Sequence, residues 1–502
     1  MATDALLPMS SDYDGYLRDE SRRCGEAASI SFPRNEAEVI ATLRQAADAG
    51  LAITTQGART GIVAGAVPLG GHILNLERMK HIGVLTRDGE HASITVEPGA
   101  LLTELRAALE AEDVFFPPDP TEASASLGGM VACNASGAMT YAYGPTRDWV
   151  QALRVVLPDG DVLALRRGAR QAQGRTFCLT TEGGRDITGS LPDYTAPQVK
   201  SAAGYFVHDD MDLLDLFIGM EGTLGVITEI ELRLIPRPAA IVGLTSFLPS
   251  EEAALAFVRR LRAEPLGDGI RPVAIEFFNS DALDLLRALR DHSTSFSSIP
   301  VLRPHYHTAI YTEFHGASED ILEEAVMQAI ETVCELGGND EDTWYATTAR
   351  ELAPQKAFRH AVPEAVNLLI DERKKAYPTL TKLGTDMSVP DAALEDAMAM
   401  YHDGLHEARL QSAIFGHIGN NHVHVNILPR DLAEYDQGKA LYADWAQRVV
   451  AWGGSVAAEH GIGKLKVSFL RLMYGDESLA QMRALKGRFD PEERLNAGNW
   501  FA

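Results

Sequence analysis

At 502 residues, with 45 basic and 70 acidic side chains, the chain carries a formal charge of −25, a field that repels nucleic-acid phosphates and anionic lipid surfaces. The length exceeds what one hydrophobic core spans, so two or more domains are expected, and an anionic substrate would need a locally basic pocket. Cys24, Cys133, Cys178 and Cys334 form no C-x-x-C pair, the N-terminus lacks a basic and apolar leader, and no window approaches about eighteen apolar residues. These features read as a cytoplasmic chain with no transmembrane segment, compatible with a peripheral place on a membrane.

In chain order, Asn35 and Glu38 have capping-box spacing, Val39, Ile40, Leu43, Ala46 and Ala47 form an apolar helical stripe, and Gly50 ends it. Residues 51–55 read as a strand entering the turn Gln56-Gly57-Ala58-Arg59-Thr60-Gly61, whose N–H groups could cradle phosphate oxygens. No G-x-G-x-x-G and no G-K-[ST] occurs there, so neither a Rossmann fingerprint nor a P-loop is offered. Residues 117–137 are a Ser, Ala and Gly tract opened by paired prolines. It reads as an extended loop, either compact at the surface or bringing backbone donors close to a large flat ligand. Residues 152–157 and 162–165 flank Pro158-Asp159-Gly160, a hairpin signal. Gly219 to Gly225 is another glycine-rich turn entering a strand, and Pro236-Arg237-Pro238 marks a domain boundary.

Beyond it, residues 250–262 read as a helix, and residues 273–278 and 308–314 as strands, in an α+β arrangement with long helices between. His305, His307 and His315 alternate near the second strand and are taken as sheet structure, because no nearby carboxylate spacing matches a metal shell. The richest stretch is His417-Ile418-Gly419-Asn420-Asn421-His422-Val423-His424-Val425-Asn426, followed by Glu459-His460-Gly461. As a strand, residues 422–426 point His422, His424 and Asn426 to one face and the valines to the other. Two neutral imidazoles joined by a carboxylate make an adequate set for a divalent ion with an open position, which suggests an enzyme. Residues 489–498 are turn-rich.

With those motifs in that order, residues 31–496 resemble the FAD-linked oxidases and dehydrogenases of the vanillyl-alcohol oxidase superfamily. Within it they resemble the branch acting on D-lactate, glycolate and D-2-hydroxyglutarate. The resemblance implies a two-subdomain, PCMH-type FAD-binding domain at residues 1–239, an α+β cap at 240–460 and a return to the FAD domain at 461–502. It places the pyrophosphate on Gln56, Gly57, Ala58, Arg59, Thr60 and Gly61, with Ala58 where a glycine is usual. Asp119, Pro120, Thr121, Ser126, Gly128, Gly129, Asn134, Ser136 and Gly137 would wrap the isoalloxazine and ribityl chain. Tyr143, Gly144, Gly222, Gly225, Ile227 and Asn496 complete the cofactor set. No Gly-Gly-His tether is present, so non-covalent FAD is expected.

The same resemblance implies that His417, His424 and Glu459 hold a divalent metal, Zn²⁺ being the expected ion, and that His460 is the base. His422 is then a supporting residue. A 2-hydroxy acid would give its hydroxyl proton to His460 and its C2 hydride to flavin N5. Arg359, Lys382 and Asn426 are the expected substrate contacts. Register set on Asp386 puts Gly384 where the hydroxyglutarate enzymes carry a lysine, and Pro363 stands where they often carry threonine; both departures favour D-lactate. The alternatives are D-2-hydroxyglutarate or glycolate oxidation, or a non-redox flavin group transfer. A quinone, cytochrome, electron-transfer flavoprotein or iron–sulfur protein is the implied acceptor, and a homodimer is an allowed assembly.

Overall fold

The computed structural model describes residues 6–89, 91–290 and 296–501. Its first helix, Glu36–Asp48, starts where the sequence placed it: Asn35 Oδ1 accepts from Glu38 N at 2.9 Å. The Glu38 carboxylate accepts from Arg34 N at 2.8 Å, one residue earlier than a strict capping box requires. Val39, Leu43 and Ala46 are fully buried against Ile53, Leu74 and Val226. Full burial of side chains such as Val39 and Leu43 is worth about 1.5–3 kcal/mol each.

That helix covers a small sheet in which Ser29–Ser31, His72–Asn75 and Ile53–Gln56 pair in parallel, with Leu7–Pro8 antiparallel at the edge. A second, antiparallel sheet runs Thr86–Asp88, His91–Val96, Val226–Pro236, Val150–Val156, Val162–Arg166. The predicted hairpin closes with Val156 opposite Val162, and Gly160 takes the positive φ of 79° that its turn needs. The central strand arrives from residue 226, so this sheet is completed by chain lying far from its hairpin.

The tract at 117–137 departs from the expected loop. Residues 127–133 form the helix Leu127–Cys133, and Leu127, Met130 and Val131 are buried in the core beneath the second sheet. Two glycines near its start lower helix propensity, but the apolar spacing of one, four and five gives the segment a face to bury, and tertiary packing decides.

After Pro236, strand Ala240–Leu248 opens another sheet, antiparallel throughout. Its order is Trp344–Ala346, Ala240–Leu248, Thr308–Gly316, Ala274–Phe278, Ser412–His417, His422–Ile427, Leu383–Gly384, and Met387–Ser388 also pairs with His422–Ile427. Helices Glu251–Ala263 and Glu319–Glu335 bury Phe257, Val258, Leu322 and Val326 with Leu244, Ile310 and Phe314. Helix Ala349–Lys374, which contains Pro354 and Pro363, packs Phe358, Val362 and Val366 into a separate cluster with Phe278 and Tyr311. The final helical stretch, Val467–Phe489, is interrupted at Gly475 (φ 75°) and returns to the first core, where Phe489 stacks on Phe177 with ring centroids 5.8 Å apart. No helix among the described residues is long and apolar enough to cross a membrane.

Candidate active site

Strand His422–Ile427 alternates as its sequence predicts. Val423, Val425 and Ile427 are buried against Trp445, Ala446 and Val449, which leaves His422, His424 and Asn426 on the opposite face. Its antiparallel neighbour Ser412–His417 sets His417 directly across from His422. The three rings sit with centroids 4.4–5.7 Å apart.

Glu459 enters this group from the segment after helix Leu432–Ala451. His417 Nε2 lies 3.3 Å from Glu459 Oε2, and His424 Nε2 lies 3.3 Å from Oε1. The far nitrogens of both rings are occupied. His417 Nδ1 is 2.7 Å from Glu276 Oε1, and His424 Nδ1 is 3.1 Å from the Thr385 carbonyl. Such partners fix ring orientation and direct Nε2 inward. Burial disfavours charge on His417, but Glu276 and Glu459 outweigh it and push its pKa up to about 9. Burial likewise opposes ionisation of Glu459, yet Lys200 and His417 hold it well below the ordinary carboxylate range.

His422 belongs to the same ring of donors, with Nδ1 3.9 Å from Glu459 Oε2. Ligand atoms of His417, His422, His424 and Glu459 all lie within 4.8 Å of one another. Three imidazole nitrogens and a carboxylate suit Zn²⁺ or another borderline divalent ion. The residues present therefore fit a metal, and His422 joins the three expected ligands within that reach, though its Nδ1 lies farther from Glu459 than the other two rings and 3.3 Å from Lys200 Nζ.

Asp386 organises the other half of the site. It is fully buried, accepts from the backbone N–H groups of Glu459 and His460 at 3.1 Å each, and takes a 2.6 Å bond from Lys466 Nζ. His422 Nε2 stands 3.1 Å from its Oδ1 and His460 Nδ1 3.4 Å from its Oδ2. Burial works against its charge, but His460 and Lys466 keep it well below the usual range. His460 Nε2 lies 3.5 Å from Glu459 Oε1, and the ring stacks over His424 at 5.4 Å. Its pKa is depressed to about 4, by burial above all, with Asp386 and Glu459 opposing. The ring is therefore neutral near pH 7 and open to a proton.

Among the expected substrate contacts, Arg359 projects over the Tyr311 ring, its Cζ 5.0 Å from the centroid, and its buried Nε has no protein partner. Asn426 is buried beside Gly384, and no protein hydrogen bond among the described residues ties its amide. Lys382 is not drawn into the group: burial holds its pKa down and the charge bearing on it is Arg22.

The cofactor residues divide into two sets. Gly57 and Ser126 meet closely: Ala58 N donates to Ser126 Oγ at 3.2 Å, and a Cβ on Gly57 would fall 2.1 Å from that oxygen. The neighbouring N–H groups of Arg59, Thr60 and Gly61 donate to no protein acceptor among the described residues, and nothing lies within 4 Å of where a Gly61 Cβ would be. A backbone with free donors on an open face fits a pyrophosphate. Gly129 lies against Ser126, and Pro120 and Thr121 precede that segment, whereas Gln56, Asp119 and Gly128 are taken up by protein: Gln56 Nε2 donates to the Tyr16 and Ala66 carbonyls at 2.7 Å each, Asp119 accepts from Arg106 at 2.6 Å, and a Cβ on Gly128 would lie 2.5 Å from Pro98. Ser136 reaches the cluster directly, its Oγ 3.3 Å from Glu459 Oε2.

The second set is occupied by protein. Asn134 caps its helix and accepts from Arg147 N at 2.9 Å. A Cβ on Gly137 would lie 1.8 Å from the Asp119 carbonyl, on Gly144 1.9 Å from Asp148, and on Gly225 2.4 Å from Val155. Ile227 is a buried strand residue paired with Val155. Asn496 accepts from Thr55 N at 2.9 Å and donates to the Glu221 carbonyl at 2.8 Å; a Cβ on Gly222 would strike it. Tyr143 turns toward the cap: its hydroxyl is 2.8 Å from His315 Nδ1, whose Nε2 is 2.9 Å from Glu313. The second histidine group thus does not converge. His305 pairs with Asp342 and His307 with Thr308, whereas His315 sits on the seam with Tyr143.

Four contributors escaped the sequence reading: Lys200, Glu276, Asp386 as a structural acid, and Thr385. Only Asp386 had a signal, as a lone acid in a run of small and apolar residues; the others arrive from distant strands and loops.

Residues 237–500 match the family described as FAD linked oxidases, C-terminal domain, and residues 27–166 match the FAD binding domain. The chain is 30% identical over 471 residues to a D-lactate dehydrogenase of Anaerostipes hadrus, covering 92% of this chain and 86% of that protein. It is 30% identical over 500 residues to a D-2-hydroxyglutarate dehydrogenase of Xanthomonas citri pv. viticola, covering 98% and 93%. Against the glycolate oxidase subunit GlcD of Bacillus subtilis it is 28% identical over 478 residues, covering 94% and 89%. A solved alkyldihydroxyacetonephosphate synthase superposes with a TM-score of 0.66 at 16% identity, covering 99% of this chain and 82% of that one, a likeness of fold alone.

Proposed function

Since the chain belongs to the FAD-linked oxidases of the vanillyl-alcohol oxidase superfamily, we propose that it oxidises a D-2-hydroxy acid, D-lactate before others, to the 2-oxo acid with the help of a divalent ion. It is an FAD-dependent oxidoreductase of the group that includes D-lactate, D-2-hydroxyglutarate and glycolate dehydrogenases. The finer reading rests on one observation above all: His417 and His424 both direct Nε2 at Glu459 while their outer nitrogens are held by Glu276 and Thr385. Imidazoles held in that way are prepared for a metal.

FAD, when bound, would supply the two-electron acceptor, and a divalent ion, which His417, His424 and Glu459 would hold with His422 at hand, would supply a Lewis acid for the substrate hydroxyl. The protein does the rest. Arg359 offers an unpartnered guanidinium edge to the substrate carboxylate, and Asn426 offers its free amide from the strand that carries His424. His460 takes the hydroxyl proton at Nε2, the nitrogen facing Glu459, while Asp386 holds the ring from Nδ1.

Gly384 in place of a second cation, and a Lys382 whose pKa burial and the charge of Arg22 hold down, favour a monocarboxylate. The division into residues 1–239, 240–460 and 461–502 forms part of this reading, as does a non-nicotinamide acceptor. The test is anaerobic mixing of FAD-loaded, metal-analysed protein with D-lactate, L-lactate, glycolate and D-2-hydroxyglutarate. Chelator-sensitive bleaching of the flavin by D-lactate is expected. Faster bleaching by D-2-hydroxyglutarate would replace the substrate, and no bleaching by any of them would sink the reaction in favour of group transfer.

A further inference from the structure

Among the described residues, Lys200 is the one side chain from the flavin-binding half that penetrates the donor ring with a positive charge. Its Nζ lies 2.6 Å from Glu459 Oε2 and 3.3 Å from His422 Nδ1, and both members of the Lys200–Glu459 pair are at least nine-tenths buried. The backbone beneath it is fastened to the cap. Ser388 Oγ donates to the Lys200 carbonyl at 2.6 Å, Ser201 Oγ meets Ser455 Oγ at 2.9 Å, and Ala202 N donates to the Ala457 carbonyl at 2.8 Å. The lysine root is therefore fixed, and only its flexible stem is free to move.

Metal bonds to carboxylate oxygen and imidazole nitrogen run about 2.0–2.2 Å. Glu459 Oε2 and His422 Nδ1 are 3.9 Å apart, so an ion bound to both would lie between them and crowd the ammonium that now bridges the same two atoms, and two cations do not share that space. Behind Lys200 lies a cavity of 870 Å³, bordered by Tyr141, Gln198, Phe206, His208, Arg262 and Asn420, with Lys200 itself part of the lining. It gives the displaced stem somewhere to go.

We propose that the Lys200 ammonium and the divalent ion are alternative occupants of one position, the lysine neutralising Glu459 until the ion arrives and then withdrawing into the adjoining cavity. The inference rests on the metal reading above and adds to it a built-in competitor. Lys200 is a positioning residue in this scheme: it keeps Glu459 aimed between His417 and His424 in the metal-free protein, and it sets how tightly the ion is held. A buried carboxylate stripped of its partner is costly, so the metal-free protein depends on Lys200 and the loaded protein does not.

The experiment compares FAD-loaded, chelator-stripped wild type with Lys200→Met and Lys200→Gln, titrating Zn²⁺ against a fluorescent indicator and recording melting with and without the ion. Removing a competitor that occupies the site most of the time tightens apparent Zn²⁺ binding by about tenfold or more. Both variants should also melt below wild type when stripped, and the gap should close when loaded. Equal or weaker Zn²⁺ binding in the variants overturns the exchange, while no Zn²⁺ uptake by any of the three proteins overturns the metal reading itself. If both variants fail to fold, amine acetylation of wild type followed by peptide mass analysis decides. Lys200 labelling should rise on adding Zn²⁺, and labelling that stays level or falls rejects the proposal.

Discussion

The Glu276 carboxylate lies 2.7 Å from His417 Nδ1, on the side of the ring away from Glu459. Both residues are buried, with side chains 6% and 7% exposed, so solvent does not screen the pair. Glu276 comes from strand Ala274–Phe278, which pairs with Ser412–His417, so an element with no role in chemistry aims the ligand. Glu276→Gln should weaken divalent-ion binding by about 10–100-fold, the range found when an outer partner of a metal-bound histidine is removed. Indicator competition on FAD-loaded protein measures it, and unchanged affinity would show that His417 needs no such orientation.

Arg359 is the second test. Its buried Nε has no protein partner, and hydrogen bonds to charged groups contribute about 1.5–3 kcal/mol, which corresponds to roughly 10–100-fold in substrate affinity. Arg359→Lys keeps the charge but loses the fork. KM for the hydroxy acid should rise by about that factor while FAD content and ion affinity stay at wild-type levels; a change confined to FAD content would move Arg359 out of the substrate site.

His460 should separate binding from chemistry. His460→Gln is expected to slow flavin reduction by about 10²–10⁴-fold, the usual contribution of a positioned base, with bound FAD and metal unchanged. Stopped-flow reduction kinetics read the rate directly, and near-normal bleaching would assign the proton to another group.

Acid stability should report the seam between the two halves. Burial alone would raise Glu313, but His315, Lys356 and Tyr311 outweigh it and bring its pKa to about 2 from the ordinary 4.5. A carboxylate depressed in the folded protein contributes stability above its unfolded pKa and loses it as pH falls through the folded value, here between pH 4.5 and about 2. The full contribution is on the order of 3 kcal/mol at most. Denaturant midpoints across that window should fall less steeply for Glu313→Gln than for wild type, and parallel slopes would rule out Glu313 as a source of the acid limb.

Local chemistry explains what could be read before the structure. Asn35, the 156–162 hairpin and the alternating face of residues 422–426 obey rules of a few residues' range, and they appear where those rules put them. Helix Leu127–Cys133 was hidden because Gly128 and Gly129 mask an apolar face that only a core reveals. Lys200 and Glu276 were invisible for a different reason: they lie 259 and 141 residues from the groups they touch. Nothing near a lysine in a proline-bearing loop marks it as the partner of a distant glutamate. The resemblance located His417, His424, Glu459 and His460, but the nitrogen each ring presents depends on Thr385, Glu276 and Asp386, and so on tertiary packing.

Asn496 ties Thr55 N, 441 positions earlier in the chain, to the Glu221 carbonyl. A ribosome finishes the strand, the glycine turn and both walls of the first half long before it delivers the residue that fastens them. The nascent first half therefore lacks this fastening through most of its synthesis, and the strand and the turn it joins are tied together only once residue 496 arrives.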